Sequence, residues 1–335
     1  MTVWSHIVRS LEGGEPCALV TVATARGSTP RESGARMVVW ADGRFSGTIG
    51  GGTLEFEALR WARQALAGGR RGLAVRTVSL GPDLGQCCGG RIDVAIEALE
   101  PAQLPMARTL AEREAERVPF ATRAHVRSGA AVEREIVGQP EDPGFLLEED
   151  GTLLETFGTY RRPLYLFGAG HVGKALILAL APLPFDITWL DSREEVFPKA
   201  VPGNVRKLLL NRDDRSVAEC LARAPDSAFV LAMTHSHALD EDIMAAGLAQ
   251  QRFAYCGVIG SATKRARFEK RLKVRGLAPA VVSAMVCPVG LPAIRSKHPA
   301  AIAAGVAADL LERDEAALQK TVRPKELVRF RAGAQ

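Results

Sequence analysis

The segment Gly168-Ala169-Gly170-His171-Val172-Gly173 constrains this chain more than any other, because of what stands on either side of it. Before it lies the short apolar run Leu164-Tyr165-Leu166-Phe167, and after it an apolar stretch with helical character reaches Leu180. A strand, a glycine-rich turn and a helix in that order fit a dinucleotide fingerprint. The glycines allow a tight turn, close approach of a pyrophosphate and close helix packing, and the helix N-terminus attracts the anion. The next strand, Phe185 to Leu190, ends at Asp191, where such folds place an acid. The pattern predicts a Rossmann fold. A glycine loop also persists where it only packs a helix on a sheet, so the ligand, NAD(P) or another nucleotide, is a separate question from the fold.

Further strands are expected at Val205 to Leu210, Ala228 to Met233, Tyr255 to Ile259 and Val281 to Val286, with helical stretches between them. Strand–helix alternation of this kind predicts a parallel sheet covered on both faces.

The first hundred residues read differently. An apolar, β-rich run from Pro16 to Ala25 is followed by the polar loop Arg26 to Gly34, a second run from Ala35 to Trp40, and the tight-turn pair Asp42-Gly43. The chain then returns through Phe45 to Ile49, breaks at Gly50-Gly51-Gly52, and enters a helix carrying Leu54, Ala58, Trp61, Ala65 and Leu66. Strands are expected again at Leu73 to Leu80 and Ile92 to Leu99. A run of strands with few helices predicts a small α+β domain. Residues 101–160 are charged and proline-interrupted, and are expected to hold a short helix (Ala107 to Arg117), peripheral strands and a linker.

A chain of 335 residues exceeds the ~250–300 at which single cores stop growing, so more than one domain is expected. The fold class is therefore α/β, with an N-terminal α+β domain at 1–100, a peripheral segment and linker at 101–160, a Rossmann-like doubly wound parallel sheet at 161–315, and a C-terminal tail at 316–335.

Aromatics make up only 6% of the residues and no long Lys/Arg block lies beside them, so the net charge of +5 does not imply nucleic acid. No segment approaches the ~18 uninterrupted apolar residues of a membrane span, and the start has no basic run followed by an apolar stretch. A cytoplasmic protein with reduced thiols is expected.

Three loops follow strands of the expected sheet or break the first domain, and they hold the candidate chemistry. Thr234-His235-Ser236-His237-Ala238-Leu239-Asp240 follows a strand at the edge where open sheets bind ligands. His235 and His237 with an acid suit a metal or a phosphate, but the absence of a further His or Cys ligand nearby favours a helix-capping loop with solvated histidines over a metal. Gly260-Ser261-Ala262-Thr263-Lys264-Arg265 opens another helix, where Ser261, Lys264 and Arg265 suit a phosphate.

The least ordinary segment is Gln86-Cys87-Cys88-Gly89-Gly90-Arg91. Adjacent cysteines do not close an unstrained disulfide with one another. Thiols among glycines and beside an arginine are placed for soft-metal ligation, sulfur transfer or thiolate chemistry. Cysteine that simply fills a core needs no such flanks. Cys17, Cys220, Cys256 and Cys287 lie in apolar or strand-like surroundings and are expected in cores.

Taken together, these motifs resemble the XdhC/CoxI family of accessory proteins for molybdenum hydroxylases. The resemblance is carried by Arg26 to Glu32, Gly50 to Glu55, Leu80 to Gly90, the Gly168 fingerprint, Thr234 to Asp240, Ile259 to Arg267, and Cys287-Pro288-Val289-Gly290-Leu291. It implies a non-enzymatic, homo-oligomeric chaperone that takes molybdenum cofactor (molybdopterin) from donor proteins. Such a chaperone supports exchange of a terminal oxo for a sulfido ligand by a cysteine desulfurase, and inserts the product into apo-xanthine dehydrogenase. Under that reading Gln86, Cys87, Cys88, Gly168, Gly170, His171, Gly173, Asp191, His235, His237, Ser261, Lys264 and Arg265 hold the cofactor, with Cys87 and Cys88 toward the molybdenum. A competing class, an NAD(P)-dependent oxidoreductase, explains the fingerprint and Asp191 but gives the paired cysteines no role. A pure interaction scaffold leaves the glycine loops unexplained.

Overall fold

The structure is a computed structural model that describes residues 2–69, 71–81, 89–138, 144–210 and 216–321. The chain divides into two compact units, Met1–Tyr160 and Arg161–Gln335.

The first unit opens with helix α1 (Val3–Glu12) and strands β1 (Cys17–Arg26), β2 (Arg36–Trp40) and β3 (Phe45–Gly47). Helix α2 (Gly52–Ala67) and strands β4 (Gly72–Ser79) and β5 (Arg91–Leu99) follow. The five strands form an antiparallel sheet in the order β3-β2-β1-β5-β4. The β2–β3 hairpin turns at Asp42-Gly43 as its dipeptide predicts: Gly43 adopts a φ of +91° and Asp42 Oδ1 accepts the Arg44 amide at 2.9 Å. Strand β1 reads as an unbroken apolar run because both its faces are covered. Ala18, Val20 and Val22 pack with Leu54, Ala58 and Ala62 of α2, while Cys17 and Leu19 pack with Trp4, Ile7 and Leu11 of α1. Trp4, Ile7 and Leu11 stand at the three- and four-residue spacing that lines one helix face.

Residues 101–160, expected as peripheral segment and linker, begin with helix α3 (Leu104–Ala115), set off by Pro105 in its first turn. Strands β6 (Phe120–His125), β7 (Glu135–Gly138), β8 (Phe145–Leu147) and β9 (Thr152–Phe157) form a second antiparallel sheet, β7-β6-β9-β8. The two sheets are joined through fully buried charge. Arg134 donates from Nη1 to Glu97 of β5 and from Nε to Glu155 of β9, each at 2.8 Å. Glu155 also receives Arg36 of β2, at 3.4 Å.

The second unit alternates strands with helices: β10 (Arg162–Phe167), α4 (His171–Leu180), β11 (Phe185–Asp191), β12 (Val205–Leu209), α5 (Val217–Ala222), β13 (Phe229–Ala232), α6 (His237–Gln250), β14 (Tyr255–Val258), α7 (Ala262–Val274), α8 (Pro279–Ser283), β15 (Met285–Val286) and α9 (Pro299–Thr321). All pairings are parallel, in the order β12-β11-β10-β13-β14-β15. This is the Rossmann-like α/β sheet the sequence predicts, with the strand order reversing between β10 and β13. Strand β10 shows the double covering: Leu164 and Leu166 enter one core with α4 and α9, and Tyr165 and Phe167 enter another with α5, α6 and α7. The strand expected at Val281 to Val286 is shorter, because Pro279 starts a helical turn that takes in Val281 and Val282, leaving only Met285–Val286 in the sheet. Among the described residues no helix is long and apolar enough to cross a membrane.

Candidate functional site

The strand order reverses between β10 and β13, and the glycine loop follows the C-terminal end of β10 at that point, where open α/β sheets hold ligands in a crevice. Two of its three fingerprint glycines are required by packing. At Gly168 the φ is +114° and a Cβ would lie 2.3 Å from the Met233 carbonyl oxygen; at Gly173 a Cβ would lie 2.2 Å from the Gly168 carbonyl oxygen. That carbonyl also accepts Trp189 Nε1 at 3.0 Å. Gly170 differs, since a Cβ there would meet nothing within 4 Å. It precedes α4 without any side-chain cap, and Gly170 and His171 are both exposed. The backbone open to a ligand is therefore at Gly170–His171.

Asp191 is buried at the end of β11 and faces the loop. Its Oδ2 accepts the Ala169 amide at 2.8 Å and Arg193 Nη2 at 3.1 Å, while Oδ1 accepts the Arg193 amide and Nε, each at 3.0 Å. Burial pushes this carboxyl up, but the bonds from Arg193 and Ala169 outweigh it and hold the group below its ordinary value. Arg193 was not singled out from the sequence; its signal is an arginine two residues beyond the strand-ending acid.

The loops after β13 and β14 are tied together inside. Asp240 Oδ1 accepts the Thr234 amide at 3.0 Å and its hydroxyl at 2.8 Å, and Oδ2 lies 2.6 Å from Lys264 Nζ. Lys264 also donates to the Ile259 carbonyl at 2.8 Å, and its side chain is only 10% exposed. The lysine expected to meet a phosphate is thus an internal strut. Ser261 Oγ caps α7 by accepting the Lys264 amide at 3.3 Å. Arg265 reaches Glu269 at 2.8 Å and remains half-exposed. His235 and His237 are exposed, with Ser236 between them capping α6. Among the described residues no group of three His, Cys, Asp or Glu side chains is placed to hold a metal ion.

In the first unit Gln86, Cys87 and Cys88 lie outside the described residues. Their flank is informative. A Cβ on Gly90 would lie 2.4 Å from the Ser28 carbonyl oxygen and 2.7 Å from that of Arg26, and one on Gly50 would lie 2.7 Å from Pro30. The segments Arg26 to Gly34, Gly50 to Glu55 and Gly89 to Arg91, far apart in sequence, therefore meet at one end of the first sheet. There Arg26 and Arg91 are cross-strand partners, both exposed. Glu55 closes the start of α2, accepting the Thr48 hydroxyl at 2.6 Å and the Ile49 and Gly51 amides at 3.2 and 3.3 Å. Cys17, Cys220, Cys256 and Cys287 are buried thiols outside any disulfide, and burial pushes Cys17 and Cys256 up to about 12.

Comparison with known proteins adds an independent line. The family model described as the XdhC Rossmann domain matches residues 164–310, and that of the XdhC and CoxI family matches residues 10–79. The chain is 28% identical over 318 residues to YqeB of Escherichia coli (strain K12), described as uncharacterised, covering 93% of this chain and 46% of that protein. Over 103 residues it is 35% identical to the molybdenum cofactor insertion chaperone PaoD of the same organism, covering 30% of this chain and 32% of PaoD. The matches thus span less than half the length of either curated relative. A crystal structure of a xanthine dehydrogenase from Bacillus halodurans shares the fold, with a TM-score of 0.74 at 20% identity over 94% of this chain and 96% of that one.

Proposed function

Because the chain belongs to the XdhC and CoxI family, we propose that it is a maturation factor that binds molybdenum cofactor as cargo and inserts it into a molybdenum hydroxylase. The observation that carries this reading is the match of the two family models in order, one to each unit, together with the likeness of a 103-residue stretch to an insertion chaperone of that cofactor. The client is apo-xanthine dehydrogenase, the cofactor comes from donor proteins, and a cysteine desulfurase supplies the sulfido ligand while the cargo is held. The working form is a homo-oligomer.

Each unit, taken by itself, holds groups that suit one part of the cargo. A phosphate needs hydrogen-bond donors, and the open backbone at Gly170–His171 offers them at a helix start. A molybdenum dithiolene needs soft neighbours, and Cys87 and Cys88 are the thiols not assigned to a core.

The test is an equilibrium titration of the purified full chain with molybdenum cofactor under reducing, oxygen-free conditions, followed by transfer to apo-xanthine dehydrogenase. Binding with protection of the pterin from oxidation, and activation of the client, is the expected result; a chain that takes up no cofactor overturns the proposal.

A further inference from the structure

Asp191 stands where dinucleotide-binding folds use an acid to receive the hydroxyls of a ribose. A carboxylate has about four acceptor positions. Here four donors take them: the Ala169 amide and Arg193 Nη2 on Oδ2, and the Arg193 amide and Nε on Oδ1. At 3% exposure the group is also closed to solvent. No acceptor is left for a diol, and freeing one would release either the Ala169 amide of the glycine loop or a bond from Arg193.

Arg193 presents the opposite chemistry. Its side chain is 35% exposed. A guanidinium carries five N–H donors. Nε and Nη2 are turned onto Asp191, and among the described residues no hydrogen bond occupies Nη1. Glu195 is the other carboxylate whose charge acts on it. Arg193 therefore offers donors while Asp191 withholds acceptors, which matches the acceptor-only oxygens of a phosphate; the acceptors that the rim beyond β11 keeps are the exposed Glu194 and Glu195 that follow Arg193.

We infer that the crevice selects, beyond β11, a phosphate monoester over a ribose diol, and that Arg193 makes this choice. This rests on the reading that the crevice holds the phosphate-bearing part of a ligand. Asp191 is then a positioning residue: it fixes the Ala169 amide and aims the Arg193 fork, and does not itself touch the ligand.

NAD+ and NADP+ are matched probes, because they differ only by a phosphate on one ribose hydroxyl, and ADP, which carries the same ribose diol as NAD+ and no added phosphate, reports diphosphate binding at the glycine loop. Each is titrated into the full chain, wild type and Arg193→Ala, with thermal melts alongside. The expected result is NADP+ binding at least about tenfold tighter than NAD+ in wild type, collapse of that ratio toward one in Arg193→Ala, and ADP affinity unchanged between the two. Arg193→Lys, which keeps the charge without the fork, should fall between, and it carries the test if the alanine variant does not fold. Equal affinity for NAD+ and NADP+ in wild type, or a preference that survives Arg193→Ala, overturns the inference while ADP binding leaves the crevice reading in place. Failure of all three probes to bind wild type overturns both.

Discussion

Lys264 Nζ lies 2.6 Å from Asp240 Oδ2, with the two side chains only 10% and 1% exposed. The pair joins the first turn of α6 to the first turn of α7, and a Cβ on Gly260 would lie 2.7 Å from Lys264 Cδ, so the lysine is packed as well as paired. A basic residue at a helix start is here a beam within the crevice wall and not a free cation.

Removing one partner of such a pair strands the other as a buried charge, which costs about 3–5 kcal/mol. Lys264→Met and Asp240→Asn should each destabilise the chain strongly in urea. The double variant should lose much less than the sum, because no uncompensated charge remains. Strictly additive losses would show that the two side chains act independently.

The glycines of the fingerprint should separate by experiment. Gly168→Ala combines a φ of +114° with a Cβ 2.3 Å from a carbonyl oxygen, and should destabilise by at least ~2 kcal/mol. Gly170→Ala meets no atom and should melt near wild type. A bulkier Gly170→Leu should also fold, yet weaken ADP binding by obstructing the open backbone. Equal melting losses at Gly168 and Gly170 would contradict this division.

Much of this arrangement is legible in the sequence, and the illegible part has a common cause. The glycine loop, the strand before it and Asp191 stand close together in the chain, so local pattern finds them. The partners do not. Asp240 and Lys264 are 24 residues apart, and Arg134 lies 37 residues from Glu97 and 21 from Glu155. No periodicity announces a pairing across elements, and for that reason residues 101–160 read as a peripheral segment and linker although their arginine joins two sheets. Arg193 stands two residues beyond the acid it satisfies, but sequence does not say which way a carboxylate points. Val281 and Val282 carry strand-like side chains, and Pro279 overrides them.

The Asp191 carboxyl is held below its ordinary value of 3.8 in the folded chain, burial being outweighed by the Arg193 and Ala169 bonds. A depressed folded value means the folded state binds fewer protons than the unfolded state near that pH. The stabilisation is therefore present above about pH 4 and is lost as pH falls through the lower folded value. Asp191→Asn should show a shallower loss of stability than wild type as pH falls below about 4, and the two should converge at the acid end. Parallel curves from urea unfolding across that range would mean Asp191 is no more stabilised as an anion in the fold than in the unfolded chain.

Thiol reactivity separates the cysteines. Only a thiolate reacts readily with an alkylating reagent, and burial pushes Cys17 and Cys256 up to about 12, so at pH 8 they are neutral and enclosed. Cys220 and Cys287 are buried too. The sequence reading of Cys87 and Cys88, soft ligands in a glycine-flanked loop next to the exposed Arg91, predicts that these two are alkylated first. Mass spectrometry of peptides after a short pulse of iodoacetamide on the folded chain gives the order directly. Cys87→Ala/Cys88→Ala should then melt within ~0.5 kcal/mol of wild type, as changes away from a core do, while losing cofactor affinity and client activation more than either single change. A double variant that still delivers active cofactor would remove these thiols from the mechanism, and a large loss of stability would return them to a core.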